Sequence, residues 1–280
     1  MSGDAEDPIP KSDLPTRFVM GVVMVAVACV AIYFGGWLFR LLVLAGAAVM
    51  LVEWADMHRV PRIWAYLGGV MLAGLVLVVA EMLFPTGLQD EYIASASFAP
   101  VWQGVFVAVG LALLLGLASR RATMAGGFVY IAVPSFALVV LSWFDFAWPG
   151  ILFWVMIVIW STDIFAYFAG RAIGGPKLAP RVSPNKTWAG LAGGVVGAEI
   201  MGALTAYAFG LGAPFLYLGG LMALFAQGGD LYESWLKRRA GVKDSGTLLP
   251  GHGGALDRLD GLLPVAVVTL GIVMAGLWSG

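Results

Sequence analysis

PGILFWVMIVIWSTDIFAYFAG, residues 149–170, is an apolar run interrupted by one carboxylate, Asp163. Its length is near the roughly 20 residues that a helix needs to cross a bilayer, and it lacks the alternation of a barrel strand. Similar runs recur along all 280 residues, which are 60% hydrophobic and 12% charged, with a mean hydropathy of +0.90. A soluble domain carries about a quarter charged residues. The pattern therefore predicts an all-α, polytopic integral membrane protein.

The runs number about nine: Phe18 to Phe34, Trp37 to Glu53, Ile63 to Phe84, Trp102 to Ser119, Gly126 to Trp143, Pro149 to Gly170, Trp188 to Gly210, Pro214 to Gly229 and Gly261 to Trp278. Only Gly35 and Gly36 separate the first two, so a tight hairpin competes with one long kinked helix and the count falls between eight and nine. With a cytoplasmic N-terminus, Lys11, Arg17, Arg59, Arg62, Arg120, Arg121, the bases from Arg171 to Lys186 and those from Lys237 to Arg258 all lie inside, and Arg40 alone lies outside. Cytoplasmic loops are enriched in Lys and Arg. The opposite loops hold Glu81, Asp90, Glu91 and Asp145, which favours nine spans over eight.

Three regions follow: a mobile cytoplasmic tail over 1–17, N-terminal membrane helices over 18–145, and a polar-rich C-terminal membrane region over 146–280 with cytoplasmic loops. The net charge of −1 gives no global pull toward nucleic acid. The single Cys29 excludes a disulfide framework. Ala26-Val27-Ala28-Cys29 loosely resembles a lipoprotein processing site, but the acidic segment before it lacks the basic start of a signal peptide.

Chemistry concentrates after Trp160. A carboxylate within a span, such as Asp163, is costly unless paired or liganded and marks a functional candidate; a hydrogen-bond anchor between helices is the competing reading. In 170–190, GRAIGGPKLAPRVSPNKTWAG, the bases satisfy the inside-positive bias by themselves. Ser183-Pro184-Asn185-Lys186-Thr187 before the next helix adds donors at an anion-attracting helix start. Capping explains Ser183 or Thr187 but leaves Lys186 over. Glu199, near the middle of a span, is either a helix-packing acid or part of a polar cavity. Asp230, Glu233, Ser234 and Lys237 share one face if helical.

The stretch SWLKRRAGVKDSGTLLPGHGGALDRLD, residues 234–260, interleaves Lys237, Arg238, Arg239, Lys243 and Arg258 with Asp244, Asp257 and Asp260 around a glycine-rich turn at His252, Gly253 and Gly254. Topology alone asks only for bases, so the acids are diagnostic. Carboxylates with few His and one Cys select a hard cation such as Mg²⁺. Acids for metal, bases for phosphate oxygens and glycine backbone N–H groups point to phosphoryl or nucleotidyl transfer.

Ser-x-Leu-Lys-Arg from Ser234, Lys-Asp-x-Gly from Lys243, Leu-Pro-x-His-Gly-Gly from Leu249 and Asp-Arg-Leu-Asp from Asp257 together strongly resemble the signature of phosphatidate cytidylyltransferases, the CDP-diacylglycerol synthases. Trp160-x-x-Asp163-x-x-Ala166-Tyr167, the segment Lys177 to Thr187, and Gly229-Asp230-Leu231-x-Glu233-Ser234 agree. The match covers about the C-terminal 120 residues. Ala255 and Trp188-Ala189 depart from the usual pattern without removing a charged group.

The resemblance implies CTP and phosphatidate as substrates, CDP-diacylglycerol and pyrophosphate as products, and Mg²⁺ as cofactor at two ion sites, one open to a monovalent ion. By the same resemblance Asp230 and Asp257 are the principal metal ligands, with Asp163, Asp244 and Asp260 in support. Ser183, Lys186, Thr187, Lys237, Arg238, Lys243 and Arg258 would bind phosphates, and His252, Gly253 and Gly254 would shape the nucleotide loop. A homodimer in the bacterial inner membrane, with its active site facing the cytoplasm, is also implied. The nearest rival is a CTP-dependent polyprenol kinase. A transporter built around Asp163 and Glu199 lacks the paired broken helices expected of inverted repeats.

Overall fold

The computed structural model describes residues 14–83, 99–144, 150–246 and 253–276. Asp90, Glu91, Asp145 and His252 lie outside the described residues. The helices are α1 (Leu14–Phe34), α2 (Gly36–Met57), α3 (Arg62–Leu83), α4 (Ala99–Ser119), α5 (Ala122–Phe144), α6 (Gly150–Ile173), α7 (Trp188–Phe209), α8 (Ala213–Tyr217), α9 (Gly219–Ala240), α10 (Leu256–Leu259) and α11 (Leu262–Met274). Two short antiparallel strands, β1 (Lys177–Ala179) and β2 (Ser183–Thr187), sit between α6 and α7.

Among the described residues, α2, α3, α4, α5, α6 and α7 are long and apolar enough to cross a membrane, and Phe18–Phe34 and Leu262–Met274 are shorter apolar helices. Large apolar side chains such as Phe106 and Leu117, 72% and 76% exposed, cover the outside; lipid, not water, is the solvent such a surface fits. The α5 span is 72% buried, against 28% for α4, so α5 is the central post. Gly35, between α1 and α2, and Gly36, the first residue of α2, both have positive φ, which separates the first two apolar runs into two helices.

The eighth expected span, Pro214 to Gly229, needs correction. The chain forms the short α8, turns at Leu218, and then runs as one helix from Gly219 to Ala240. The charges after Gly229 end the apolar run but not the helix. They extend α9, since Asp230, Glu233 and Lys237 find partners on one helix face. The Ser183–Thr187 segment also differs from a simple helix start: it is a strand, and only Thr187 caps α7, its Oγ1 accepting from Gly190 N at 3.0 Å.

Helices α6 and α7 approach closely because α7 presents Gly190, Gly193, Gly194 and Gly197 to α6. A Cβ at Gly194 would lie 2.9 Å from Thr162 O, and one at Gly190 3.0 Å from Ala166 O. Small residues at this spacing allow van der Waals packing where lipid offers no hydrophobic drive. Glu199 has a packing role: its Oε2 accepts from Gly220 N at 2.7 Å, placing an acid at the start of α9, where free N–H groups and the helix dipole favour it. Opposite, Trp54 Nε1 donates to Thr123 O at 2.9 Å and His58 stacks on the same indole. These contacts fix α2 against α5, and with it the neighbouring Glu53.

Candidate active site

Helix α9 organises the site because Gln227, Asp230, Ser234 and Lys237 recur at offsets of three, seven and ten and so share a face. Lys186, carried in by β2, reaches that face with its Nζ 2.5 Å from Asp230 Oδ2 and 2.7 Å from Gln227 Oε1. Ser234 Oγ donates to Asp230 Oδ1 at 3.3 Å. A cavity of about 640 Å³ adjoins this pair, lined by Asp163, Tyr167 and Arg171 of α6, Lys177 and Asn185 of the hairpin, and Thr187. Thus Asp163, Lys186, Thr187 and Asp230 converge, as the sequence indicated. Tyr167 of the Asp163 motif joins them, as do Gln227 and Asn185, although nothing in the local spacing of those two marks them as members of the site.

A second node lies further along α9. Lys237 Nζ is 2.6 Å from both Glu233 Oε2 and Asp257 Oδ1. Asp257 Oδ2 accepts from Ser245 N at 2.9 Å, Gly254 N at 2.8 Å and Ser245 Oγ at 3.0 Å. Burial alone would push the Asp257 carboxyl up, but the Lys237 hydrogen bond and the Gly254 and Ser245 backbone N–H groups outweigh it and hold it below its ordinary value. The Lys237 and Asp257 side chains are only 12% and 7% exposed, against 19% and 34% for Lys186 and Asp230. The Lys186–Asp230 pair is therefore the more open of the two.

The glycines of the turn are required by space. Gly253 has φ +82°, and a Cβ there would sit 2.7 Å from Asp257 Oδ2. At Gly254 a Cβ would overlap Ser245 Oγ and lie 2.6 Å from Glu53 Oε2. Asp260, just beyond, accepts from Gly261 N at 2.7 Å. Burial, then the negative charges of Asp230 and Glu233, raise its carboxyl well above the usual range. Asp230 of α9 thus acts on both Asp163 of α6 and Asp260 of the α10–α11 turn.

Other predicted residues stand further out. Arg238 is exposed one position past Lys237, which turns it about 100° around the helix, and its guanidinium reaches Val242 O at 3.5 Å. Lys243 and Asp244 are exposed on the loop after α9, and Ser183 pairs with Ala179 at the far end of the hairpin. None of these four lines the cavity. Arg258, also exposed, lies close enough to Asp163 to act on its charge.

The residue that sequence reading misses is Glu53. It ends an apolar run, where hydropathy predicts a span boundary, yet it is 6% exposed and accepts from Ala255 N at 2.8 Å, Leu256 N at 2.9 Å and Ser245 Oγ at 3.2 Å. The carboxylate caps the first turn of α10, the turn that carries Asp257 and Arg258. An acidic side chain at the end of a greasy helix is the only signal, and it is equally what a water-facing helix end shows.

No cluster of three or more His, Cys, Asp or Glu side chains poised as a metal cage occurs among the described residues. Carboxylate oxygens are what a hard cation takes, and Asp163, Asp230 and Asp260 supply them, while both Asp257 oxygens are engaged by Lys237, Ser245 and Gly254.

Fold and site together define a helical protein whose long apolar helices suit a membrane, with a pocket lined by acidic and basic side chains. Residues 15–275 match the cytidylyltransferase family. The chain is 38% identical over 272 residues to the phosphatidate cytidylyltransferase of Brucella abortus, covering 92% of each chain. It is 32% identical over 260 residues to that of Bacillus subtilis, covering 90% of this chain and 94% of the relative. With that of Pseudomonas aeruginosa the identity is 34% over 244 residues, 84% of this chain and 79% of the relative. The chain belongs to the cytidylyltransferase family.

Proposed function

We propose that this protein transfers the cytidylyl group of CTP to phosphatidate, releasing pyrophosphate and forming CDP-diacylglycerol. The observation that carries this reading is the Lys186–Asp230 pair at 2.5 Å on the edge of a cavity that also holds Asp163, in a chain similar along most of its length to phosphatidate cytidylyltransferases. Phosphatidate already bears an anionic oxygen, so no strong base is needed to create the nucleophile. That oxygen forms a bond to the α-phosphorus of CTP as the bond from α-phosphorus to the oxygen bridging the β-phosphate breaks in line. Both bonding electrons of the broken bond leave with pyrophosphate.

Such chemistry is mostly positioning and charge balance. Lys186, extended from the hairpin, neutralises phosphate oxygens in the cavity. Lys237, clamped between Glu233 and Asp257, fixes the position of the second basic group. Arg258 offers a planar fork suited to a phosphate. Asp230 and Asp257, with Asp163 and Asp260, would hold Mg²⁺, which supplies neutralisation of charge on the transferred group and leaving group. The remaining basic residues, Arg238 and Lys243, would gather anions at the mouth through long-range charge.

The same reading takes nine spans, with α9 in place of the eighth apolar run, places the N-terminus and the site on the cytoplasmic side of the bacterial inner membrane, and pairs two copies as a homodimer. The positive-inside distribution supports the orientation.

Purified protein in detergent with phosphatidate, Mg²⁺ and CTP labelled at the α-phosphate is expected to give labelled lipid and unlabelled pyrophosphate. Lipid labelled only from the γ-position would indicate a kinase, and no labelled lipid from folded protein would end the proposal. Lys186→Met is expected to lower kcat/KM for CTP about a hundredfold, since a charge-assisted contact is worth about 1.5–3 kcal/mol. A change under threefold would remove Lys186 from phosphate binding.

A further inference from the structure

A second cavity, of about 390 Å³, opens between α1, α2, α5, α6 and the α10–α11 turn. That volume falls within the roughly 300–1,000 Å³ of ligand pockets. Its walls include Val27 of α1, Phe39 and Met50 of α2, Leu138 of α5 and Val155 of α6. Among the described lining residues one group is charged, Arg258.

Two links join this apolar space to the polar cavity. Arg258 acts electrostatically on Asp163, which lines the polar side. Along α6, Met156 lines the apolar cavity and Asp163 follows seven residues later. Two helical turns bring those positions back to the same face. An arginine thus stands where a greasy cavity between membrane helices meets the phosphate-binding pocket.

We infer that this cavity receives an acyl chain of the lipid substrate, with the phosphate of that lipid drawn to Arg258. The inference rests on the cytidylyltransferase reading above. Arginine at the junction is what favours the substrate over bulk lipid. A phosphomonoester carries about −1.5 to −2 charges near neutrality, whereas a zwitterionic headgroup carries no net charge for the guanidinium to select. Inside the bilayer, chain burial alone gives little preference, because lipid tails are as apolar as Leu. Charge therefore chooses the lipid and the cavity fixes where its chain lies.

Gly46 lines the cavity, and a Cβ there would meet open space, so Gly46→Phe fills the cavity without striking the backbone. The readout is the ratio of kcat/KM for dipalmitoyl over dihexanoyl phosphatidate, which is expected to fall about tenfold, the penalty typical of crowding a packed space. Val70→Phe, on a face of α3 that is 70% exposed, should leave the ratio unchanged. An unchanged ratio in Gly46→Phe, or a fall of the same size in Val70→Phe, overturns the inference.

Photolabelling of the unaltered protein provides the test if Gly46→Phe fails to fold. Phosphatidate with a diazirine midway along one chain is expected to mark peptides of the lining helices α1, α2, α5, α6 or α11, with competition by phosphatidate and none by phosphatidylcholine. Equal competition by phosphatidylcholine means that bulk lipid fills the cavity, and labelling confined to other helices places the chain elsewhere; either overturns the inference. Photolabelling reads binding without turnover. Failure of the cytidylyl reaction itself would appear separately, as absence of α-labelled lipid from the unaltered enzyme with either chain length.

Discussion

Asp257→Asn is expected to lower kcat/KM for cytidylyl transfer by about 10³-fold while leaving expression and helix content intact. The size follows from removing one partner of a mostly buried pair, which costs about 3–5 kcal/mol. Asn is nearly the same shape, so the effect is chemical. One carboxylate oxygen faces Lys237, and the other faces Ser245 N, Gly254 N and Ser245 Oγ. Every one of these partners is positioned to donate. Asn brings one oxygen and one NH₂, so either orientation turns donor against donor. Lys237 then keeps only Glu233, and the Gly253–Gly254 turn loses its anchor. Turnover within twofold of the unaltered enzyme would remove Asp257 from both metal and loop roles.

Glu53→Ala is expected to reduce turnover at least a hundredfold, although Glu53 lies some 200 residues from the signature. Alanine leaves Ala255 N and Leu256 N without their acceptor. Hydrogen bonds to a charged group are worth about 1.5–3 kcal/mol each, so losing two or three exceeds the stability of one short turn. The expected loss is local, because the Trp54–Thr123 bond still fixes α2 against α5. Hydrogen exchange should therefore quicken at 253–258 while the membrane helices stay protected. Slow exchange in that turn together with near-normal turnover would show that the cap is dispensable. Glu53→Asp, which keeps the charge on a shorter arm, should recover part of the activity.

These two residues mark where sequence reading succeeds and where it stops. Asp257 is legible because it sits in a dense local pattern of acids, bases and glycines that neither helix capping nor membrane topology would produce. Glu53 is not, because its partners are remote in sequence and its surroundings are those of any helix end. Arg238 and Lys243 show a third case. They belong to the pattern, but helical phase and an exposed loop turn them away from the cavity.

The sequence by itself determined that the chain is built of long apolar helices suited to a membrane, where most of them lie, and that Asp163, Lys186 and Asp230 stand out as polar groups, which line one cavity. Hydropathy and local charge pattern are enough for that, since bilayer thickness and the cost of buried charge act on short stretches of chain. The tertiary structure alone decided that α9 carries the charges on to Ala240 and that Lys237 is closed between Glu233 and Asp257. It also decided that Glu199 caps a helix and that Glu53 holds the turn that carries Asp257 and Arg258. Each of these depends on which groups meet across helices, and a contact of that kind leaves no trace in the local spacing of residues.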